Sequence, residues 1–393
     1  MPTTQIKIFS SVAALTTLLT TAPAALAQDT SDDALLQLTA RYLQDRANRV
    51  TEQAASYGAL TSVEATEPFQ HRLSTESAEL DRLRSLWKDT ASELQGAHIE
   101  IKAPQIQRSN TKAVINFVER TELHFANRTS ADSPASTSYK VGHTIDFVRT
   151  STGWELAADV LDLPQNTVDP IPYFRPVKTG DAVPSAPPAG KPVPPSLRPA
   201  TPPSPGIEKP AAPPLSAAAS YSRQAMADYA RKWALGRNPA YESFGNDCAN
   251  FVSQSLRAGG WKNVANYHNT PDAWRHLVAA AGRQLNSNTW SVSHDQLYFG
   301  WTYSGRTRNI VGEPVYLGAL VYADWATAGG GVGHDGHIDH AMIVSKVTDH
   351  WDWNQIYLSY HTTDTLDISM TQLYHKGGGD AVNYYFFDLN DAA

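Results

Sequence analysis

This chain of 393 residues has thirteen histidines but a single cysteine, Cys248, so any thiol chemistry has one address. Cys248 closes Phe244-Gly245-Asn246-Asp247-Cys248 and precedes Ala249-Asn250-Phe251-Val252-Ser253-Gln254-Ser255-Leu256-Arg257-Ala258-Gly259-Gly260. Phe251, Val252 and Leu256 recur at helical spacing, and the glycine pair is a stop signal. Gly245-Asn246-Asp247 reads as the turn into that helix, with Asp247 a candidate cap. Cys248 therefore falls at or near a helix N-terminus, where unpaired N–H groups and the helix dipole favour a thiolate. The same amides suit the oxyanion of a tetrahedral intermediate. The bland use of a lone cysteine is as a small buried hydrophobe.

A sulfur nucleophile needs an imidazole partner. Gly333-His334-Asp335-Gly336-His337-Ile338-Asp339-His340 leads straight into Ala341-Met342-Ile343-Val344-Ser345, a buried-strand run that His340 opens. A ring in that position is held at the edge of a sheet. His361 ends the next strand, Ile356 to His361, where a third polar group would orient the imidazole; Asp364 is the alternative for that role.

Around these residues, Tyr221, Tyr229-Ala230 and Trp233, then Asn246-Asp247-Cys248-Ala249-Asn250-Phe251-Val252-Ser253-Gln254 with Gly259-Gly260, resemble the putative amidase domain family. Asp339-His340-Ala341-Met342-Ile343-Val344 and Tyr360-His361-Thr362 extend the resemblance, which covers most of 219 to about 370. That family is similar to the NlpC-type cell-wall peptidases, so the resemblance implies a circularly permuted papain-like fold. It implies Cys248 as nucleophile, His340 as general base and His361 as orienting residue; Asp247, Asn250 and Asp364 are the supporting residues on the reading of the local sequence, and the mechanism requires no cofactor. Relatives often carry Gly-Asp before the strand preceding the histidine; here Gly318-Ala319-Leu320-Val321-Tyr322 stands there, with Asp324 in a different register.

The elements that would position this chemistry divide the chain into regions. Residues 1–27 read as a signal peptide: Lys7, an apolar run from Ser11 to Ala22, and the small-x-small Ala25-Leu26-Ala27. Residues 30–165 read as a smaller α+β domain, two helices followed by an antiparallel sheet. Leu35, Leu38 and Tyr42 mark the first helix behind Asp32-Asp33, and Leu80, Leu83 and Trp87 the second behind Ser74-Thr75-Glu76. Its closing hairpin, Thr144 to Leu156, resembles the end of the cone-shaped folds related to nuclear transport factor 2. His71, His98, His124 and His143 are scattered there and read as surface or internally satisfied residues. A Pro-rich linker, 166–218, follows; Pro170 to Pro214 holds 16 of the 25 prolines, a composition that favours extended polyproline II over burial. Residues 219–393 form the amidase-like cysteine hydrolase domain, again α+β. Its first helix carries Met226, Tyr229, Ala230 and Trp233 and stops at Gly236-Arg237-Asn238-Pro239.

With 32 basic and 39 acidic residues the net charge is −7, which disfavours nucleic acid or an anionic membrane as partner. The reading is an exported enzyme, secreted or held in the cell envelope, hydrolysing a peptide or peptidoglycan-derived amide. Other readings are an acyltransferase on the same scaffold, a non-catalytic wall- or peptide-binding module built on its tryptophans, and a zinc hydrolase using the His334–His340 loop.

Overall fold

The structure, a computed structural model, describes residues 6–7, 32–56, 60–163, 170, 171, 173, 191–203, 221–264, 270–278, 282, 284–325 and 333–390. Most of the expected signal peptide, including its apolar run, lies outside these. The chain divides into two units. The first comprises residues 1–84, 95–123 and 140–162; the second comprises 85–94, 124–139 and 163–393.

In the first unit the two-residue strand β1 (Ile6–Lys7) pairs antiparallel with β2 (Leu94–Arg108). Helix α1 (Asp32–Asn48) opens on Asp32 and Asp33, which complement the helix dipole. Helix α2 runs Glu67–Trp87, seven residues earlier than Ser74-Thr75-Glu76 predicts. Pro68 sits in its first turn, where a missing N–H costs nothing. Thr75, meant as a start signal, donates its hydroxyl back to the His71 carbonyl inside the helix. Strands β3 (Lys112–Phe125), β4 (Ser136–Arg149) and β5 (Trp154–Asp162) follow, neighbours in order with β2, and β5 lies antiparallel to β4. Their alternating burial puts one face into the core.

That core is not wholly apolar. His143 is buried between two acids, Nδ1 at 2.8 Å from Asp159 and Nε2 at 2.9 Å from Glu119, and its ring stacks on Phe117 at 4.8 Å. Tyr42 donates to the other Asp159 oxygen, and Arg46 donates to Tyr42 and pairs with Glu76, which Arg72 also meets. Buried charge has to be matched in this way.

In the second unit, residues 191–203 pack against the part of the chain that follows them. Leu197 is 3% exposed and joins the core, Val193 N–H donates to the Gly336 carbonyl, and Ala200 N–H donates to the Tyr384 carbonyl. This part of the Pro-rich stretch is therefore docked, against the expectation from its composition; the linker's other residues largely lie outside the described ones. Helix α3 (Arg223–Trp233) is capped by the Ser222 side chain, and α4 (Cys248–Ala258) packs on it. A short hairpin, β6 (His276–Val278) and β7 (Gln284–Asn286), leads to helices α5 (Asn288–Ser291) and α6 (Ser293–Tyr298).

The sheet comprises β8 (Thr307–Ile310), β9 (Leu320–Asp324), β10 (His340–Val347), β11 (Ile356–Tyr360), β12 (Asp364–Ser369) and β13 (Asn383–Leu389), with α7 (Met370–Gly377) before the last strand. Its order is β12-β11-β10-β9-β13-β8, antiparallel throughout. Strands β9 and β11 are buried along their whole length and β10 over its first six residues, so the central strands read as near-continuous apolar runs. Helices α3 and α4 pack on β10.

Close helix approach explains the glycine stop. A Cβ at Gly259 would lie 2.2 Å from Met226 Cγ and 2.9 Å from the Ser222 carbonyl oxygen. Gly259→Ala is expected to destabilise this unit by about 1–3 kcal/mol in urea unfolding. Gly245→Ala, where a Cβ meets nothing within 4 Å, serves as the silent control.

The first unit carries a pH signature. Burial alone would lower His143, yet Asp159 and Glu119 outweigh it and raise the imidazole to about 9. This contribution to stability is full below about 6.5 and is lost as pH rises through about 9. Asp159 is held below its usual value by His143, despite burial, so its contribution is present above about pH 4 and lost on further acidification. Thermal melting across pH should give this unit its highest stability between about pH 4.5 and 6.5, and His143→Gln should flatten the alkaline limb.

Candidate active site

Cys248 is the first residue of α4 and His340 the first of β10, and both are buried, 2% and 1% exposed. The sulfur has three kinds of neighbour. It lies 3.2 Å from Asn246 Oδ1 and 3.1 Å from Ser293 Oγ, and the backbone amides of Ala249 and Ala341 face it. Ala341 directly follows His340, so the strand that carries the histidine also reaches the sulfur. Cys248 lines a cleft of about 400 Å³ with Phe244, Asn246, Ser291, Val292, Ser293, Ile338 and Asp339.

The helix start does not leave this sulfur ionised at rest. Burial pushes the Cys248 thiol up, more than Ser293 and the two amides pull it back. Burial also drives His340 down to about 3, with His361 adding to the effect. The site therefore rests as a neutral thiol and a neutral imidazole. Aromatic packing holds the His340 ring: Trp325 stacks on it at 4.7 Å and Tyr360 meets it edge-on at 5.1 Å. Its Nε2 is buried with no hydrogen-bond partner among the described residues.

His361 follows β11, but its two ring nitrogens are occupied elsewhere. Nδ1 lies 2.6 Å from Asp247 Oδ2, and Nε2–H donates to the Trp233 carbonyl at 2.9 Å. Asp247 stands at the cap position of α4 without capping it. Its carboxylate turns to other partners: Oδ1 accepts from Phe244 N–H and the Asn250 amide, while Oδ2 faces His361 and, at 3.3 Å, Arg237. Arg237 in turn forks both oxygens of Asp364 at 2.9 Å. Asn250 also donates to the Glu242 carbonyl and accepts from Trp290 Nε1. The Asp247 N–H donates to Thr362 Oγ1, and Thr362 sits at φ +56°, an uncommon conformation for a β-branched residue.

Thus the structure gathers His361, Asp247, Asn250 and Asp364 into one cluster behind Cys248, with Asp364 and Asn250 bonded within that cluster. Arg237, Asn246 and Thr362, which the sequence shows only as members of turns and motifs, and Ser293, which it does not mark at all, complete the surroundings. Asp324, at the end of β9, accepts the amides of Asp335 and Gly336 and so fastens the loop that delivers His340. Within that loop His337 faces His294 at 5.0 Å while His340 faces Trp325 and Tyr360. Among the described residues no three His, Cys, Asp or Glu side chains converge as metal ligands.

Removing the carboxylate strands His361 and two further donors in the interior. Asp247→Ala is expected to cost about 3–5 kcal/mol in chemical unfolding, well above an ordinary cap loss.

Comparison with known proteins bears on the second unit. Over 171 residues the chain is 30% identical to the uncharacterized protein YjcM of Bacillus subtilis (strain 168), covering 42% of this chain and 36% of that one. Over 130 residues it is 29% identical to the uncharacterized protein YhbB of the same strain, covering 32% and 38%. The chain thus spans little more than a third of the length of these relatives. The crystal structure of the Kfla4162 protein from Kribbella flavida aligns at 19% identity and a TM-score of 0.25, covering 33% of this chain and 88% of that one, too little to carry an argument. Residues 220–386 match the family described as Putative amidase domain, so this C-terminal part of the chain is similar to that family.

Proposed function

We propose that the second unit hydrolyses an amide bond by covalent catalysis at Cys248, with His340 as general base. The observation that carries this is the cleft itself: a lone sulfur on its wall, ringed by hydrogen-bonding groups, beside a strand whose first residue is a histidine with an unpartnered buried nitrogen. As a substrate carbonyl enters, His340 takes the thiol proton and the sulfur attacks the carbonyl carbon. The carbonyl electron pair moves to oxygen, and backbone amides at the start of α4 face that charge. Collapse expels the amine, which receives its proton from His340. Water, deprotonated by the same imidazole, then resolves the thioester to a carboxylic acid and restores the thiol. The residues require no cofactor for these steps.

His361 acts in this reading through Asp247, which fixes the turn that presents Cys248. The match to the amidase family and the packing of α3 and α4 on a buried antiparallel sheet support a permuted papain-like arrangement. The N-terminal segment with its Ala25-Leu26-Ala27 signal supports export, and among the described residues no helix is long and apolar enough to cross a membrane. Export and the family together favour a peptide or peptidoglycan-derived amide as substrate. The first unit, which resembles the nuclear transport factor 2 folds in its closing hairpin, would serve binding or shielding.

The reading is tested by cleavage of a panel of peptidoglycan fragments and simple peptides. Cys248→Ala and His340→Ala should each lower turnover at least about 10³-fold with the fold intact by circular dichroism. Undiminished cleavage by Cys248→Ala, or none by the wild type across the panel, would sink it. A pH profile adds a second check. Because burial holds His340 near 3, kcat/KM should stay level from pH 7 down to about 5. An ordinary imidazole would lose most of its activity over that range.

A further inference from the structure

We propose that Ser293 is a catalytic group: its hydroxyl donates to the Cys248 sulfur and holds the negative charge that forms there when the thiol proton leaves. This rests on the cysteine reading above and adds a residue to it.

The geometry is direct. Ser293 Oγ lies 3.1 Å from Sγ, and Ser293 is 5% exposed. A thiol has one hydrogen, and here it is directed at Asn246 Oδ1, 3.2 Å away. With that hydrogen engaged, the Ser293 O–H is the donor in the contact with sulfur under this proposal. Ser293 is also held in place from behind. Three residues on, Gln296 donates to the Ala249 carbonyl and to Ser253 Oγ, both on α4, and accepts from the Tyr322 hydroxyl on β9. Helix α6 is thereby tied to the helix that carries the nucleophile, which keeps the Ser293 backbone beside the sulfur while its hydroxyl stays free to turn.

Such a donor matters because the sulfur itself is buried, at the wall of the cleft. When the S–H bond breaks, its electron pair stays on sulfur and the proton passes to His340. In a buried setting the new charge is poorly solvated, so a nearby O–H dipole supports it. A hydrogen bond to an ionised partner is roughly twice as strong as one between neutral groups, so Ser293 favours the ionised state over the resting one. Once the sulfur–carbon bond forms, sulfur accepts poorly and the charge sits on the carbonyl oxygen, one atom further along; the released hydroxyl can follow it.

Iodoacetamide alkylation of the full chain, read by intact mass, reports Cys248 alone because no other thiol exists. Ser293→Thr and Ser293→Val have nearly the same shape and differ in the hydroxyl, and their thermal melts verify folding. The expectation is that Ser293→Val slows alkylation at pH 8 about tenfold or more and moves the profile to higher pH by about one unit, while Ser293→Thr stays near wild type. Identical profiles for the two variants would overturn the proposal. Cleavage persisting in Cys248→Ala would remove the cysteine reading, and the catalytic role of Ser293 with it, even where the alkylation shift is present.

Discussion

A carboxylate taken fully out of water has to be met by donors on every side, and Asp247 imposes that demand on the whole site. The donors come from places far apart in sequence: the turn at Phe244, Asn250 on α4, Arg237 after α3 and His361 after β11. Satisfying one side chain therefore docks two helices and a strand end together. Cys248, the next residue, inherits its position from that arrangement. Thr362 tolerates a strained backbone beside it because its hydroxyl receives the Asp247 amide.

Burial has a second effect, on charge. The thiol and the imidazole both rest neutral because burial disfavours the charged form of each. Charge then arises only during proton transfer, when the fixed dipoles around the sulfur gain strength from the low dielectric. A helix N-terminus is commonly read as a sign of a thiolate; here its pull is real but smaller than the cost of desolvation.

Local patterns in the sequence were good guides to where chemistry starts. The helix does begin at Cys248, the strand does begin at His340, and His361 does follow β11, because apolar periodicity and glycine stops are written locally. What could not be read was who touches whom. Ser293 lies in a run of ordinary polar residues, 45 positions from Cys248, and nothing in its neighbours marks it. Asp247 looked like a cap because caps are local, whereas its real partners are set by the fold. His143 looked incidental for the same reason: its two acids stand on other strands. The early start of α2 was hidden by Ser74 and Thr75, whose cap-like chemistry is equally at home bonding back within a helix.

The docked stretch from residue 191 to 203 changes what counts as the folding unit around the site. Leu197 fills a seat in the core, and Gly336, at φ +87°, brings its backbone so near Pro192 that a Cβ there would lie 2.8 Å from the proline. A chain trimmed to begin at residue 219 would lose that plug, uncover apolar surface and release the Gly336 carbonyl from Val193. Prolines make the association inexpensive in entropy, since their backbone is already restricted before docking. The boundary that composition draws between linker and enzyme is thus not the one drawn by packing, which brings residues 191–203 into the second unit.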